Sequence, residues 1–308
     1  MSHTLRLGIG LALGTAVISG VSNYVAKISV TIVKNPVVFT TLKNMLVAVL
    51  LLGLFLAAAK ARDLRGRSWK DWLRLVLIGV IGGSVPFVLF FTGLSKTSAV
   101  TGSLIHKTLF LWVALLAVPI LKERIGRVQC IAFLLLLGGV FALGGLRGMH
   151  LGTGELMIFG ATILWAVENI IAKVALRTFS SITVASARMS IGSVILIAYV
   201  GMTGGISAAT HLDAEQWKWT LLASGLLMGY VITWYTALKH APATLVSSLL
   251  VPASLITSVL TLVFQGSPLA SKDLISGGLF IIAITITALV SKVPPRHIDA
   301  YERAHLNA

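Results

Sequence analysis

The chain is a succession of long apolar stretches separated by short polar links, and this pattern limits it to one class of fold. A helix that crosses a bilayer needs about 20 apolar residues, and the 308 residues accommodate ten such stretches. Only 11% of the residues are charged and 56% are hydrophobic, whereas about 25% of a soluble domain is charged. The sequence therefore predicts an all-α integral membrane protein with ten transmembrane helices.

The predicted membrane spans are numbered 1 to 10 in chain order. Their expected bounds are 5–26, 36–58, 72–93, 98–119, 128–146, 155–176, 183–203, 219–238, 243–264 and 274–291. Span 1 follows the start of the chain without a convincing cleavage site, so we expect a retained helix and not a signal peptide. A polar tail, 292–308, follows span 10.

Lys and Arg residues are distributed unequally between the two sides of these spans. If the N-terminus is cytoplasmic, fifteen of them lie on the cytoplasmic side and five on the other side. The fifteen are Arg6, Lys60, Arg62, Arg65, Arg67, Lys70, Arg74, Lys122, Arg124, Arg127, Arg177, Lys239, Lys292, Arg296 and Arg303. Cytoplasmic links carry such an excess, so we expect a bacterial inner membrane protein with both termini cytoplasmic.

The same bias explains the net charge of +15 and excludes nucleic acid as a partner. The single cysteine, Cys130, allows no disulfide framework or cysteine metal site within one chain. We find no catalytic or phosphate-binding motif. The sequence therefore predicts a protein that is not an enzyme and has no cofactor and no metal site.

The two halves of the chain resemble each other. "SGVSNYVAK" (19–27) aligns with "WAVENIIAK" (165–173), "VVFTTLKNM" (37–45) with "ITVASARMS" (182–190), and "GLSKTSAVTGSLI" (93–105) with "ALKHAPATLVSSL" (237–249). The offsets are 146, 145 and 144 residues. Each half contains five spans, and since five is odd the second half enters the membrane from the opposite side. The repeats are therefore inverted, an architecture of solute transporters.

These motifs resemble the drug/metabolite transporter superfamily, in its ten-span EamA-type branch. The resemblance rests on Asn23 and Lys27, on Trp165, Asn169 and Lys173, on Lys43 and Arg188, and on "LKERIGRVQCIAFLLLLGGVFAL" (121–143). It covers nearly the whole chain. It implies a first five-helix repeat at 1–150, a second at 151–291, and a cytoplasmic tail at 292–308. The sequence departs from the family pattern at two positions. Ser19 stands in the first repeat where the family has tryptophan, and Ser267 stands in the second repeat where the family often has glutamate.

Ionisable groups inside a membrane are costly and mark functional sites. The deepest candidates are His106, Lys107 and Glu168. Lys107 and Glu168 lie at similar depth, so they form a structural ion pair or part of a solute site, or each of them pairs with another group. The predicted substrate-binding residues are His106, Lys107, Trp165, Glu168, Asn169, Tyr230 and Trp234. We assign the anionic group of the solute to Lys107, tuning or coupling to His106 and Glu168, and the cavity wall to the aromatic residues, with Tyr235 and Trp112 as further candidates.

A second group of residues is predicted to gate the path or to line its mouths. These are Asn23, Lys27, Lys43, Pro86, Lys173, Arg188 and Pro252. The alternative for the four basic residues is an anchor at the membrane interface. Pro86 and Pro252 lie well inside spans 3 and 9, where proline bends a helix.

The sequence thus predicts a secondary transporter of a small organic metabolite, an amino acid or organic anion, working by alternating access with export favoured. Its partners would be the solute and the lipid bilayer; proton coupling stays open, as does the choice between monomer and homodimer. One alternative is an exporter of drugs or cationic compounds that uses Glu168. Another is a receptor or assembly factor that transports nothing.

Overall fold

A computed structural model of the protein describes residues 3–143, 152–266 and 271–290. Within these ranges every regular element is a helix. The predicted tail 292–308 and Ser267 lie outside the described residues.

The first half of the chain forms the helices of spans 1 to 5. They are α1 (His3–Val33), α2 (Pro36–Ala57), α3 (Trp69–Leu77), α4 (Val85–Lys96), α5 (Ala99–Lys107), α6 (Leu109–Leu121) and α7 (Arg127–Leu143). A 3-10 turn, Lys60–Leu64, precedes α3, and a π-helical segment, Ile78–Gly82, joins α3 to α4. Span 3 therefore consists of α3, the π-helical segment and α4, and span 4 consists of α5 and α6.

The second half forms the helices of spans 6 to 10. They are α8 (Thr153–Ala175), α9 (Ser181–Met202), α10 (Ile206–Thr210), α11 (Ala214–His240), α12 (Ala243–Ser248), α13 (Ala253–Gln265) and α14 (Ser271–Val290). The short α10 lies between spans 7 and 8. Span 9 consists of α12 and α13, so it is interrupted as span 4 is.

These helices confirm the predicted all-α fold. In the described part of the chain, eight helical stretches are long and apolar enough to cross a membrane by length and composition. The shorter apolar helix α7 occupies the position of span 5, and α14 occupies that of span 10. Each of the ten predicted spans therefore coincides with one helix or with consecutive helical segments, and the ends that lie in the described residues differ by at most seven residues.

Capping residues begin the corresponding helices in the two halves. Ser68 and Asp71 form a reciprocal capping box at the start of α3, and Asp213 and Gln216 form one at the start of α11. Such pairs satisfy backbone N–H groups that the first helical turn leaves unbonded. The same local signal thus starts spans 3 and 8, as expected for repeated halves.

The helices pack in the way that two inverted repeats require. Span 1 packs on span 8, and span 3 on span 6, which is the same contact after the halves are exchanged. Spans 2 and 7 pack on each other, and so do spans 5 and 10. The interior between the halves is therefore bounded by spans 1, 2, 3, 6, 7 and 8.

The links after spans 2, 4, 6 and 8 lie at one end of the bundle, which we call the basic face. Asp63, in the link after span 2, accepts a hydrogen bond from the backbone N–H of Ser180, in the link after span 6, at 3.1 Å. Glu123, in the link after span 4, accepts one from the backbone N–H of Ala243 at 2.7 Å. Acids of the first half thus contact helix starts of the second half at this end.

Candidate functional site

A cavity of about 80 Å³ lies between the two halves. It holds a few waters or a small group, since a protein-bound water needs at least about 10–15 Å³ of such volume. Its walls come from spans 1, 2, 3, 4, 6, 7 and 8. The lining residues are Ser19, Ser22, Asn23, Lys43, Phe87, Phe90, Phe91, His106, Leu109, Trp165, Glu168, Asn169, Arg188, Leu227, Tyr230 and Trp234.

The only carboxylate among these lining residues belongs to Glu168, which is 1% exposed. The Tyr235 hydroxyl donates a hydrogen bond of 2.5 Å to Glu168 Oε1. The Arg188 guanidinium lies 5.7 Å from the ring centroid of Tyr235. Arg188 Nε and Glu168 Cγ both lie near Gly82, at 3.1 Å and 2.5 Å from the position that a Cβ there would take. This buried acid therefore has a phenol and a guanidinium beside it, and both offset the cost of burying its charge.

The backbone carbonyl of Gly82 orients two of the side chains that line the cavity. It accepts hydrogen bonds from Arg188 Nη2 at 3.0 Å and from Trp165 Nε1 at 3.1 Å. Within a helix this carbonyl would bond the N–H four residues later, but that residue is Pro86, which has none. Proline thus frees the carbonyl, and the π-helical segment that ends at Gly82 belongs to a class often found at functional sites.

The second cation of the cavity, Lys43, is surrounded by aromatic rings. Its Nζ lies 3.8 Å from the ring centroid of Phe91, 5.0 Å from that of Phe87 and 5.2 Å from that of Phe39. The side chain is buried and lines the cavity. Cation–π contacts offset only part of the cost of removing an ammonium group from water. A negatively charged group in the cavity would offset the rest.

Span 8 supplies an aromatic wall that hydrogen bonds hold in place. Trp234 Nε1 donates to Asn169 Oδ1 at 2.8 Å, and Asn169 Nδ2 donates to the Trp165 carbonyl at 2.9 Å. The rings of Tyr230 and Trp234 are stacked with centroids 5.8 Å apart. Asn169 therefore links the tryptophans of spans 6 and 8.

The structure places His106 and Lys107 on different sides of span 4. The His106 ring lines the cavity, 5.0 Å from the ring centroid of Trp165 and 5.4 Å from that of Phe90. Lys107 is 2% exposed and lies outside the cavity lining. Its Nζ makes no hydrogen bond within the described part of the chain, so the Lys107–Glu168 pair that the sequence left open is not formed.

Leu104 lies three residues before Lys107 in α5, and Phe110 lies three residues after it in α6. Both belong to an apolar cluster formed by spans 4, 5, 9 and 10. The substrate-binding role that the sequence assigns to Lys107 stays a prediction, but Lys43 and Arg188, assigned to a gate, are the cations that border the cavity.

The repeated lysines Lys27 and Lys173 occupy equivalent positions at opposite ends of the bundle. Lys27 Nζ donates to the carbonyls of Leu94 at 3.2 Å and Thr97 at 3.1 Å, at the end of span 3. Lys173 Nζ donates to the carbonyls of Leu238 at 2.5 Å and Ala241 at 2.7 Å, at the end of span 8. Cations stabilise helix C-termini, so we call these two residues the lysine caps.

The other residues predicted for the gate lie at the cavity or at helix interruptions. Asn23 lines the cavity, and its Nδ2 has no hydrogen-bond partner among the described residues. Pro86 lies in the first turn of α4, and Pro252 directly precedes α13. Whether any of them moves during a transport cycle stays a prediction.

Sequence reasoning missed the phenylalanines of span 3. Phe87, Phe90 and Phe91 line the cavity, although none was a candidate. The repeat contained the signal, because the offset of 144 that aligns the ends of spans 3 and 8 pairs Phe90 with Trp234 and Phe91 with Tyr235.

The profile of the EamA-like transporter family matches the chain twice, over residues 6–145 and 152–289. The chain belongs to the EamA-like transporter family. The family is part of the drug/metabolite transporter superfamily that the motifs indicate, and the recognition from sequence is confirmed.

Curated relatives of this EamA-like protein carry general names. An uncharacterized transporter of Methanothermobacter thermautotrophicus is 25% identical over 225 residues, which cover 70% of this chain and 64% of that protein. The uncharacterized transporter YyaM of Bacillus subtilis is 23% identical over 253 residues, 80% of this chain and 81% of that one. The aligned region thus spans less than two thirds of the archaeal relative.

A solved structure supports the fold of this EamA-like protein. A chain described only as a crystal structure of a protein superposes with a TM-score of 0.71 at 16% identity, and the alignment covers 94% of this chain and 97% of that one. At this identity the likeness concerns the fold alone.

Proposed function

We propose that this EamA-like protein transports a small organic solute that carries a carboxylate, with an amino acid or organic anion as the substrate class. The observation that carries the proposal is Lys43. Its ammonium group borders the cavity and contacts three aromatic rings, and a carboxylate is the natural partner for such a cation.

The balance of charge in the cavity supports an anionic group. Lys43 and Arg188 contribute two positive charges, and Glu168 contributes at most one negative charge. Arg188 already has Glu168 beside it and the Gly82 carbonyl as an acceptor. Arg188 Nε nevertheless lacks a hydrogen-bond partner among the described residues, so the excess of positive charge is shared by Lys43 and Arg188.

The rest of the cavity supports a solute that also has a polar or apolar body. Asn23 Nδ2 and His106 Nδ1 lack hydrogen-bond partners among the described residues, and both side chains line the cavity. Buried polar groups are normally satisfied, so a bound solute or water is the expected partner. The rings of Trp165, Tyr230 and Trp234 would contact an apolar part.

The mechanism that we propose is alternating access between the two inverted halves. Inverted repeats place solute sites near the midplane and bear discontinuous helices there, and spans 4 and 9 are interrupted at equivalent points. The basic face would be cytoplasmic, following the Lys and Arg excess, in a bacterial inner membrane. Resemblance to the family favours export and a protein that is not an enzyme.

Counterflow in proteoliposomes tests the proposal. Vesicles are loaded in turn with zwitterionic amino acids, mono- and dicarboxylates, and organic cations, and uptake of a labelled solute is measured. We expect exchange with one of the carboxylate classes. A Lys43→Met variant should weaken the apparent affinity roughly 10- to 100-fold, because a hydrogen bond to a charged group contributes about 1.5–3 kcal/mol.

Lys107→Met is the matched control, since it removes the same charge outside the cavity lining, and we expect it to leave the affinity unchanged. Exchange of cations alone that Glu168→Gln abolishes would overturn the proposal in favour of a cationic substrate. A loss of affinity in Lys107→Met but not in Lys43→Met would return the anion site to Lys107. No exchange with any class, together with a protein partner that co-purifies, would favour a non-transporting receptor or assembly factor.

A further inference from the structure

Six of the spans form two groups that the repeat exchanges. Span 1 packs on spans 8 and 9, and span 6 packs on spans 3 and 4. We call spans 1, 8 and 9 the first group and spans 3, 4 and 6 the second group. The groups meet at spans 4 and 9, and exchanging the halves of the chain exchanges the groups. They are therefore the units that we expect to move against each other in alternating access.

The lysine caps bridge the two groups, one at each end of the bundle. At the basic face, Lys173 of the second group donates to carbonyls at the end of span 8, in the first group. At the opposite face, Lys27 of the first group donates to carbonyls at the end of span 3, in the second group. Because the two contacts are repeat equivalents, they connect the groups in the same way at both ends.

A carboxylate adds a further bridge at the basic face. Glu123, in the link after span 4, accepts hydrogen bonds from the backbone N–H groups of Ala243 at 2.7 Å and Thr244 at 3.0 Å. It accepts another from the Thr244 hydroxyl at 2.8 Å. These donors begin span 9, so the bridge joins the second group to the first. Hydrogen bonds to a charged acceptor are stronger than neutral ones, so Glu123 stabilises the contact between the groups at this face.

Glu123 and Lys173 hold the same short link between spans 8 and 9. The carbonyl of Ala241 accepts a hydrogen bond from Lys173 Nζ at 2.7 Å, and the N–H of Ala243 donates to Glu123. The link belongs to the first group, and both side chains that hold it come from spans 4 and 6 or the link after span 4. The two contacts would therefore break together if the groups separate at the basic face.

Spans 4 and 9 begin in different ways. Span 9 begins after Pro242, which provides no side-chain cap, so its first N–H groups depend on Glu123. Span 4 begins after Ser98, whose hydroxyl accepts a hydrogen bond from the Thr101 N–H at 3.0 Å. The residue that aligns with Glu123 in the second half is Ser267, which has no carboxylate. The start of span 9 is thus tied to the other group, whereas the start of span 4 carries its own cap.

We propose that Glu123 is a latch that holds the path closed at the basic face, so that the resting protein opens more readily at the opposite face. This inference rests on the alternating access proposed above. Opening at the basic face separates the link after span 4 from the start of span 9 and breaks three hydrogen bonds of Glu123. The carboxylate is half-buried, so water replaces these donors once the contact has separated.

Cysteine reactivity tests the latch without any solute. In a Cys130→Ser background, Ala172 or Ala26 is replaced by cysteine, and the rate of modification by a water-soluble methanethiosulfonate reagent is measured on the full chain in nanodiscs. Each rate is normalised to that of the same chain in SDS. The two alanines are repeat equivalents and are buried. Ala172 lies three residues beyond the cavity residue Asn169 toward the basic face, and Ala26 lies three beyond Asn23 toward the opposite face.

We expect Ala26→Cys to react faster than Ala172→Cys. Glu123→Gln should raise the rate at Ala172→Cys roughly tenfold or more, because hydrogen bonds to a charged group are lost, and should not raise the rate at Ala26→Cys. Thr244→Val, which removes only the hydroxyl donor of the latch, should act in the same direction by a smaller factor. Agreement between the two variants would show that the effect comes from this contact and not from a change in fold caused by one of them.

Glu155→Gln is the matched control. Glu155 accepts a hydrogen bond from the Thr97 hydroxyl at 2.5 Å, and both residues belong to the second group, so we expect neither cysteine to react faster. An equal rise at Ala172→Cys in Glu123→Gln and Glu155→Gln would overturn the latch. A rise at both Ala26→Cys and Ala172→Cys in Glu123→Gln would overturn it as well, since it would indicate a general loosening of the fold.

The same measurement separates the latch from the proposed transport. If Glu123→Gln leaves the rate at Ala172→Cys unchanged while counterflow detects solute exchange, the latch is wrong and the transport function stands. If the rates change as expected but no solute class exchanges, the latch stands and the transport function is wrong.

Discussion

The two halves of the molecule face the same cavity with different chemistry. The second half supplies hydrogen-bonding groups from Glu168, Arg188 and Tyr235. The corresponding positions of the first half are Ser22, Lys43 and Phe91, where a single cation lies against apolar rings. One half thus places an acid near its cation, and the other half holds its cation against aromatic rings, where our proposal puts the anionic group of the solute.

Away from the cavity the halves agree. Lys27 and Lys173 cap the ends of spans 3 and 8 with two carbonyls each, and capping boxes begin both spans. Repeated residues therefore make equivalent contacts in the two halves, whereas several residues at the cavity differ between them.

Exchanging the unmatched acid between the halves should have the largest effect. In Ser22→Glu/Glu168→Ser, Arg188 loses its carboxylate and Tyr235 its acceptor, and the new acid has Phe91 where the second half has Tyr235. We expect the free energy of unfolding to fall by about 3 kcal/mol, as when a buried charge loses its partner, and transport to fall to background. Wild-type melting and flux would show that the halves are interchangeable at the cavity.

Replacing a glycine by alanine should lower the stability of the protein in the interrupted span 3 but not in the continuous span 8. A Cβ on Gly82 would lie 2.5 Å from Glu168 Cγ, whereas a Cβ on Gly225 would meet nothing within 4 Å. We expect Gly82→Ala to destabilise the protein by about 2 kcal/mol through overpacking, measured by chemical unfolding. Gly225→Ala should be neutral or stabilising, and similar losses in both variants would contradict the distinction.

Removing the lysine caps should affect both halves in the same way. Lys27→Met and Lys173→Met each leave two helix-end carbonyls without their donor, at a cost of about 1–2 kcal/mol. Thermal unfolding of the single variants should give similar shifts, and the affinity for solute should change little. A large fall in affinity for one variant alone would assign that lysine to the transport path, as the sequence predicted.

The smallest effect is expected at Asp63, which has no acidic counterpart in the matching helix α10, Ile206–Thr210. Burial raises the pKa of Asp63, but hydrogen bonds from Thr183 and Ser180 and the charge of Lys60 lower it further, so it lies below the usual value. Asp63→Ala should lose about 1 kcal/mol at neutral pH, as helix caps do.

The pH dependence of this loss follows from the lowered pKa. The stabilisation is complete above the unfolded-state pKa of about 4 and disappears as the pH falls through the lower folded-state pKa. Unfolding of wild type and Asp63→Ala should therefore converge only below about pH 4. A constant difference down to pH 2 would exclude the carboxylate as its source.

Hydropathy and the repeat were sufficient to predict the fold. A run of about 20 apolar residues has few alternatives to a membrane helix. The aligned Asn-x-x-x-Lys motifs indicated the repeat, and the odd number of spans in each half indicated the inversion. The interruption of span 4 was not predictable, because His106, Lys107 and Thr108 contain no proline or glycine.

The cavity was predicted only in part. Glu168, Trp165 and Tyr230 were recognised since a charge or a large aromatic ring inside a span is conspicuous. The sequence did not show which charged side chains point into the cavity. Lys43 and Lys107 are both single cations in apolar helices, and only the packing distinguishes them. Likewise Pro86 was recognised as a helix breaker, but the partners of the carbonyl that it frees belong to spans 6 and 7.

Spans 3 and 7 touch through backbone atoms at Gly83 and Gly192. A Cβ on Gly83 would lie 2.1 Å from the Arg188 carbonyl oxygen, and one on Gly192 would lie 2.4 Å from that of Gly83. Small residues allow two helix backbones to approach this closely. In the alternating access that we propose, this contact would serve as the pivot, so that spreading of the two helices on one side of it would draw them together on the other.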